Sequence, residues 1–362
     1  VADGAVADGA VADGAVADGA VADGAACATS GATVDGVAAH RTSIRRSRDV
    51  PTLVAAAREG DHRAVARLVS LVENDDPALP EVAAALAPHS GSAQVIGLTG
   101  SPGVGKSTIT NELVRAIRAR GQRVGVLAVD PSSPFSGGAI LGDRVRMQDH
   151  ATDSGVYIRS MSSRGHLGGL SAATPQAVRV LEGAGCDVVL VETVGVGQAE
   201  VEVASLADTT LVLLAPGMGD AIQAVKAGIL EIADVFVVNK ADRDGADATY
   251  RDIQGMIGLG ERGPGEWRPQ VVRSIAHRSE GIDDVMAAID KHREWLVSHD
   301  QLTRRREARA AAEVEAIAVG ALRARFGTLR NGAALPALAA RVAAGKLDPY
   351  AAANELLSSL DT

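Results

Sequence analysis

Along the middle of the chain, short apolar runs alternate with longer stretches in which apolar residues recur every three or four positions. The runs fall at 94–99, 123–129, 156–158, 187–191, 210–214, 235–238 and 271–274. Most are apolar without alternation, the pattern of strands buried on both faces. Segments of helix length separate them, among them 106 to about 120 and 219–232. Strands alternating with helices imply a mostly parallel sheet covered on both sides, and ligands of such sheets bind beyond the carboxyl ends of the strands.

The flanks read differently. Leu53, Val54 and Ala57, then Val65, Leu68, Val69 and Val72, keep helical spacing, with Asp75-Asp76-Pro77 as a break. They predict a small helical extension ahead of the sheet. After Glu280 the pattern is helical to the end: 282–297, a long charged segment over about 300–326, then two shorter helices. In the long segment Arg304-Arg305-Arg306, Glu307, Glu313 and Glu315 make a charged face, while Ala312, Ile317, Ala318 and Leu322 make an apolar stripe. Two readings stand, a solvated helix or an arm for a partner or second copy.

The first 25 residues are five copies of Val-Ala-Asp-Gly-Ala, without an aromatic residue or a face to bury. Such a tract cannot offset the entropy of ordering, and its period is too short for a solenoid, so it is expected to be a disordered tail. The plan that results is 1–50 tail and linker, 51–90 helical extension, 91–296 the sheet domain and 297–362 the helical arm.

Composition narrows the classes. The net charge of −9 falls to about −4 once the five aspartates of the repeat are set aside. That balance argues against a nucleic-acid partner, which calls for a basic footprint. Arg41, Arg45, Arg46 and Arg48 form a basic cluster read as a solvated linker. No apolar stretch reaches the roughly 18 residues of a bilayer span and no secretory signal is visible, so a soluble cytoplasmic protein without a membrane partner is expected. Two cysteines, Cys27 and Cys186, exclude a disulfide framework and a Cys-rich zinc site; Cys186, opening an apolar run, reads as a small buried side chain.

Chemistry enters at the end of the first run. Gly100-Ser101-Pro102-Gly103-Val104-Gly105-Lys106-Ser107-Thr108 is a phosphate-binding loop between a strand and a helix. Its glycines let backbone N–H groups turn inward around a β-phosphate, and the helix N-terminus adds its dipole. Lys106 brings a point charge to the β- and γ-phosphates, and the Ser107 hydroxyl suits Mg2+. Asn239-Lys240-Ala241-Asp242 follows the sixth run; a carboxylate there accepts the paired N1–H and N2–H₂ donors of guanine, which adenine lacks. The expected nucleotide is therefore GTP. Ser274-Ile275-Ala276, at another strand end, offers a backbone N–H for guanine O6.

Acidic groups lie between these loops. Glu192 ends an apolar strand where a Walker-B carboxylate belongs, with Glu in place of the commoner Asp. Asp130 and Asp143 are further candidates on the magnesium side, with a turn residue before Pro131 and a loop cap as the plainer readings. Gly195 is spaced to offer its N–H to a γ-phosphate, and Gln198 is the candidate for orienting the attacking water, although it sits three residues past Gly195. His166, in a Gly-rich loop, reads as a solvated or switch-loop residue.

Several segments resemble the MeaB/ArgK family of P-loop GTPases. They are Asp130-Pro131-Ser132-Ser133-Pro134-Phe135-Ser136-Gly137-Gly138, Leu141-Gly142-Asp143-Arg144, Arg164-Gly165-His166-Leu167-Gly168-Gly169-Leu170, Glu192-Thr193-Val194-Gly195-Val196-Gly197-Gln198, Ala215-Pro216-Gly217-Met218-Gly219-Asp220 and Leu347-Asp348-Pro349-Tyr350. The match runs from about residue 51 to the end. It implies a three-layer P-loop NTPase sandwich and a homodimer held by the helical arm. It also implies a chaperone that couples GTP hydrolysis to cofactor loading of adenosylcobalamin-dependent methylmalonyl-CoA mutase. It assigns Lys106 and Ser107 to phosphate and metal, Asp130, Asp143 and Glu192 to the magnesium side, and Asp242 to guanine. Asp220, Gln223 and Lys226 it assigns to a further switch loop. An ATPase or kinase serving an amino-acid transport system is the competing reading.

Overall fold

The computed structural model describes residues 49–130, 150, 152–162, 173–193, 199–217, 230–260, 263, 265–330 and 334–358. The chain divides into two units, Val1–Arg46, of which no residue is described, and Ser47–Thr362, which carries everything below. The repeat tail, Asp143, Gly195, Gln198, His166 and the switch-loop residues Asp220, Gln223 and Lys226 lie outside the described residues.

Within the second unit, three helices come first: α1 (Val50–Arg58), α2 (His62–Glu73) and α3 (Leu79–Leu86). Asp49 caps α1 by accepting from the Thr52 amide at 3.2 Å, and Asp61 caps α2 by accepting from the Arg63 amide at 2.7 Å. The residues expected to face inward do so, with Leu53, Val54, Ala57, Val65, Leu68, Val69 and Val72 all buried.

The sheet follows. Its strands are β1 (Gln94–Thr99), β2 (Val124–Asp130), β3 (Val156–Ser162), β4 (Val188–Thr193), β5 (Thr209–Leu214), β6 (Val235–Val238) and β7 (Gln270–Arg273). Between them run α4 (Lys106–Ala119), α5 (Ala173–Gly183), α6 (Ala199–Leu206), the short α7 (Leu230–Ile232) and α8 (Ala246–Leu259). The order is β3-β2-β4-β1-β5-β6-β7 and every pairing is parallel, so the expected sheet is present and wholly parallel among the described strands. β1 lies between β4 and β5, the point where connections leave in opposite directions, and the phosphate loop issues from its carboxyl end.

Strand periodicity sorts the two faces. Leu211, Leu213, Val235 and Val237 pack with Ile109, Leu113 and Ile117 of α4 and with Val285 and Ile289 of α9 (Ile282–Ser298). Their alternates Val212, Leu214 and Phe236 pack with Ile253 and Ile257 of α8 on the other side. Helices on both faces complete the three-layer sandwich.

Beyond α9 the chain turns at Asp300, a non-glycine residue at φ 55°, into α10 (Gln301–Arg330), then α11 (Ala334–Ala343) and α12 (Pro349–Ser358). The charged face of α10 is only partly solvated. Arg305 and Arg306 reach carboxylates at the amino ends of the strands, and Glu313 takes both its oxygens to Arg179 of α5. Nothing local in the sequence marks these targets, which lie far from α10 along the chain.

Candidate nucleotide-binding site

The loop between β1 and α4 is shaped by its glycines. Gly105, at φ 99°, is the residue before the first turn of α4, and a Cβ there would run into the Asn239 amide. Left-handed backbone and a close neighbour both demand glycine at this position. Val104 is buried, while Pro102 and Gly103 are exposed at the mouth and Thr108 is exposed on the first turn. The loop N–H groups and the helix N-terminus therefore share one end of the strand, as an anion cradle requires.

Lys106 is buried, and its ammonium donates to the carbonyls of Gly100 at 2.7 Å and Ser101 at 3.1 Å. Two carbonyl acceptors fix where this charge stands beside the loop. One residue on, the Ser107 hydroxyl donates to Glu192 Oε1 at 2.7 Å, and the Thr110 hydroxyl meets Oε2 of the same carboxylate at 2.7 Å. Ser107 and Thr110, three apart on α4, present their hydroxyls to the two oxygens of one buried group. Thr110 was not among the residues the sequence singled out. The available signal was a polar residue among the apolar positions Ile109, Leu113 and Val114.

These contacts bear on whether the residues suit Mg2+. A hydroxyl that gives its proton to Glu192 keeps its lone pairs for a cation, and Glu192 adds carboxylate oxygen beside it. An all-oxygen set of this kind is what a hard, partly hydrated cation takes. Asp130 ends β2 two strand positions from this group, since β2 pairs with β4 and places Ala128 opposite Glu192. Its side chain is outside the description, as is Asp143.

The base side is built on Asn239, which follows β6 and is buried. Its amide donates to the Val104 carbonyl at 2.9 Å, tying the base loop to the phosphate loop. Its Oδ1 accepts from the Ser274 hydroxyl and the Ala276 amide, each at 3.2 Å, tying the same residue to the loop after β7. Lys240, at φ 57°, arches back to donate to the Gly103 carbonyl at 2.6 Å. Asp242 stands near the surface, with His277 Nε2 3.9 Å from its Oδ2. Of the backbone N–H groups in the Ser274–Ala276 loop, that of Ala276 is thus given to Asn239, and a base would share it. Ile275 uses its own N–H on the Glu280 carbonyl at 2.9 Å.

Glycine loop, Walker-B carboxylate and both base loops thus converge at the carboxyl ends of β1, β4, β6 and β7. Comparison with known proteins agrees. A family model described as methylmalonyl Co-A mutase-associated GTPase MeaB matches residues 65–330. A "Putative GTPase" of Pyrococcus abyssi is 44% identical over 313 residues, covering 86% of this chain and 97% of that protein. GTPase ArgK of Escherichia coli K12 is 38% identical over 257 residues, 69% of this chain and 78% of its own length. The crystal structure of a LAO/AO transport system kinase matches with a TM-score of 0.63 at 27% identity, covering 86% of this chain and 98% of that one. A wholly parallel P-loop sheet, its glycine loop and these relatives together place the chain in the MeaB family of GTPases.

Proposed function

We propose that this GTPase binds GTP with Mg2+ at the loops described and acts as a chaperone for adenosylcobalamin-dependent methylmalonyl-CoA mutase, using hydrolysis to time cofactor loading and protection. The observation that carries the nucleotide assignment is Asn239, whose one side chain bonds the phosphate loop and the second base loop together. Loop residues 100–108 take the phosphates and Lys106 neutralises charge developing on the β–γ bridge. Asp242 accepts the guanine N1–H and N2–H₂ pair, with Asn239, Lys240 and Ser274–Ala276 walling the base. Ser107 and Glu192 hold the cation side, with Asp130 and Asp143 as additional acidic groups. Mg2+, when bound, supplies charge neutralisation to the β- and γ-phosphates. Gly195 is assigned to sensing the γ-phosphate and Gln198 to ordering water.

The mutase role rests on the description of the family. Co-purification with candidate cobalamin mutases, with and without a non-hydrolysable GTP analogue, tests it. Nucleotide-dependent association is expected; its absence would remove the chaperone role and leave the GTPase. We also assign 51–90 to an extension, 91–296 to the GTPase domain and 297–362 to a homodimerisation arm.

The name of the solved transport-system kinase favours a second reading, an ATPase or kinase. Asp242 separates the two. GDP is expected to bind at least about a hundredfold tighter than ADP, because adenine would set an acceptor against the Asp242 carboxylate where guanine offers two donors. Asp242→Asn is expected to erase that preference in a competition titration. Equal affinity of the unmodified protein for the two nucleotides would favour the kinase.

A further inference from the structure

The loop after β7 is pinned from a second side that the base-reading residues do not explain. Glu112, buried on α4 less than two turns beyond the phosphate loop, accepts the Ser279 hydroxyl on Oε2 at 2.7 Å and Arg115 on Oε1 at 2.9 Å. Ser279 adopts φ 57° and ψ 20°, a left-handed backbone that glycine adopts without strain. A serine there is disfavoured by its backbone, and its hydroxyl is spent on a buried carboxylate. The rest of the loop is equally constrained. Ile275 and Glu280 form an antiparallel bridge. The Ser279 amide donates to the Ala276 carbonyl at 3.1 Å. Gly281 sits at φ 76°, where a Cβ would strike the Arg273 carbonyl.

We propose that Glu112, through Ser279, is a positioning residue for guanine selection: it fixes the Ser274–Ala276 loop relative to the phosphate-binding helix. A bound nucleotide spans these two places, its phosphates at the start of α4 and its base against Asn239 and Ala276. Asn239 sets the spacing from the β6 side and Glu112 sets it from α4. Neither Glu112 nor Ser279 touches the nucleotide; their effect is exerted through the Ala276 backbone. A carboxylate is suited to the task, since a hydrogen bond to a charged acceptor is stronger than one between neutral groups.

This inference rests on the base assignment above, and its test separates the two. Ser279→Gly removes the hydroxyl while relieving the backbone, so the strain relief offsets part of the lost hydrogen bond and the fold is expected to persist. Displacement of a fluorescent GDP derivative is measured with GDP, ADP and inorganic tripolyphosphate as competitors. The variant is expected to lose about tenfold in GDP affinity with tripolyphosphate unchanged and the GDP-to-ADP ratio reduced, roughly the loss of one well-placed hydrogen bond. Glu112→Gln, which keeps one acceptor for two donors, is expected to lose less than Glu112→Ala. An unchanged GDP affinity in Ser279→Gly, or an equal loss for both probes, would overturn the proposal. Asp242→Asn is run alongside: if it leaves the GDP-to-ADP ratio intact, the base assignment itself fails, whatever Ser279→Gly does.

Discussion

Thr110 shows how a single methyl-for-hydroxyl exchange separates packing from chemistry. It is fully buried on α4, where valine would fill the same volume, yet its hydroxyl is 2.7 Å from Glu192 and 3.1 Å from the Lys106 carbonyl. With one proton to give, it serves the charged and closer acceptor. Glutamate is one methylene longer than the commoner aspartate, and the Ser107–Thr110 pair provides the two donors that hold this longer arm. Thr110→Val is therefore expected to leave the fold intact and to lower kcat by about tenfold with little change in KM, since a hydrogen bond to a charged group is worth about 1.5–3 kcal/mol. Steady-state GTP hydrolysis measures it, and a KM rise with unchanged kcat would contradict it. The positions of the loop glycines, Lys106, Ser107 and Glu192 at strand ends were legible in the sequence because each sits directly after or at the end of its own apolar run. Thr110 and Ser279 were not, because each is defined by a partner 82 or 167 residues away. Cys186 is buried, as its place at the head of an apolar run predicts; burial pushes its thiol up to about 12, so it is expected to resist alkylation until the protein unfolds.

At the scale of elements, the arm is held by the amino ends of the strands, opposite the nucleotide. Asp208 and Asp234, each just ahead of a strand, accept the amides of Val95 at 3.0 Å and Thr210 at 2.8 Å. Their carboxylates also receive Arg306 at 2.8 Å and Arg305 at 2.9 Å, and His292 Nε2 lies 3.2 Å from Asp234. Burial works against the Asp234 charge, but the nearby His292 ring and the hydrogen bonds from Arg305 outweigh it and hold the carboxyl below the usual range. A lowered folded value means that the charged group stabilises the fold above the unfolded value of about 4, and that this contribution fades as pH falls through the folded value. Asp234→Asn is expected to lose about 1.5–3 kcal/mol at neutral pH and to show a flatter acid limb below about pH 4. Urea unfolding at several pH values tests this; parallel acid limbs for the two proteins would rule it out. The strands and the helices at 50–73, 106–119 and 282–298 were readable from apolar spacing, while the helix expected at 219–232 lies outside the described residues but for 230–232. The purpose of Arg305 and Arg306 was not, since an arginine run on a helix looks the same whether it meets water or a buried aspartate.

For the whole molecule, the two halves of α10 differ in what they meet. Arg305, Arg306, Arg309 and Glu313 fasten the first half to Asp208, Asp234 and Arg179. From Val314 onward the helix presents apolar side chains to solvent, with Val314 67%, Ile317 55% and Leu322 52% exposed. At 1.5 Å per residue, that second half extends about 25 Å. A rigidly anchored helix that exposes a stripe of branched apolar residues would suit a second copy of the same chain, whose equivalent stripe is expected to cover it. The phosphate loop, Glu192 and both base loops all come from one chain, so assembly and nucleotide binding are expected to be separable. Ile317→Asp with Leu322→Asp should give a monomer by sedimentation velocity while GDP affinity changes less than about twofold. A dimer that persists would place the contact elsewhere. A monomer that also loses GDP would mean that the partner copy supports the site. If the monomer binds nucleotide but no longer associates with a mutase in a GTP-dependent way, then dimerisation shapes the surface that the mutase recognises.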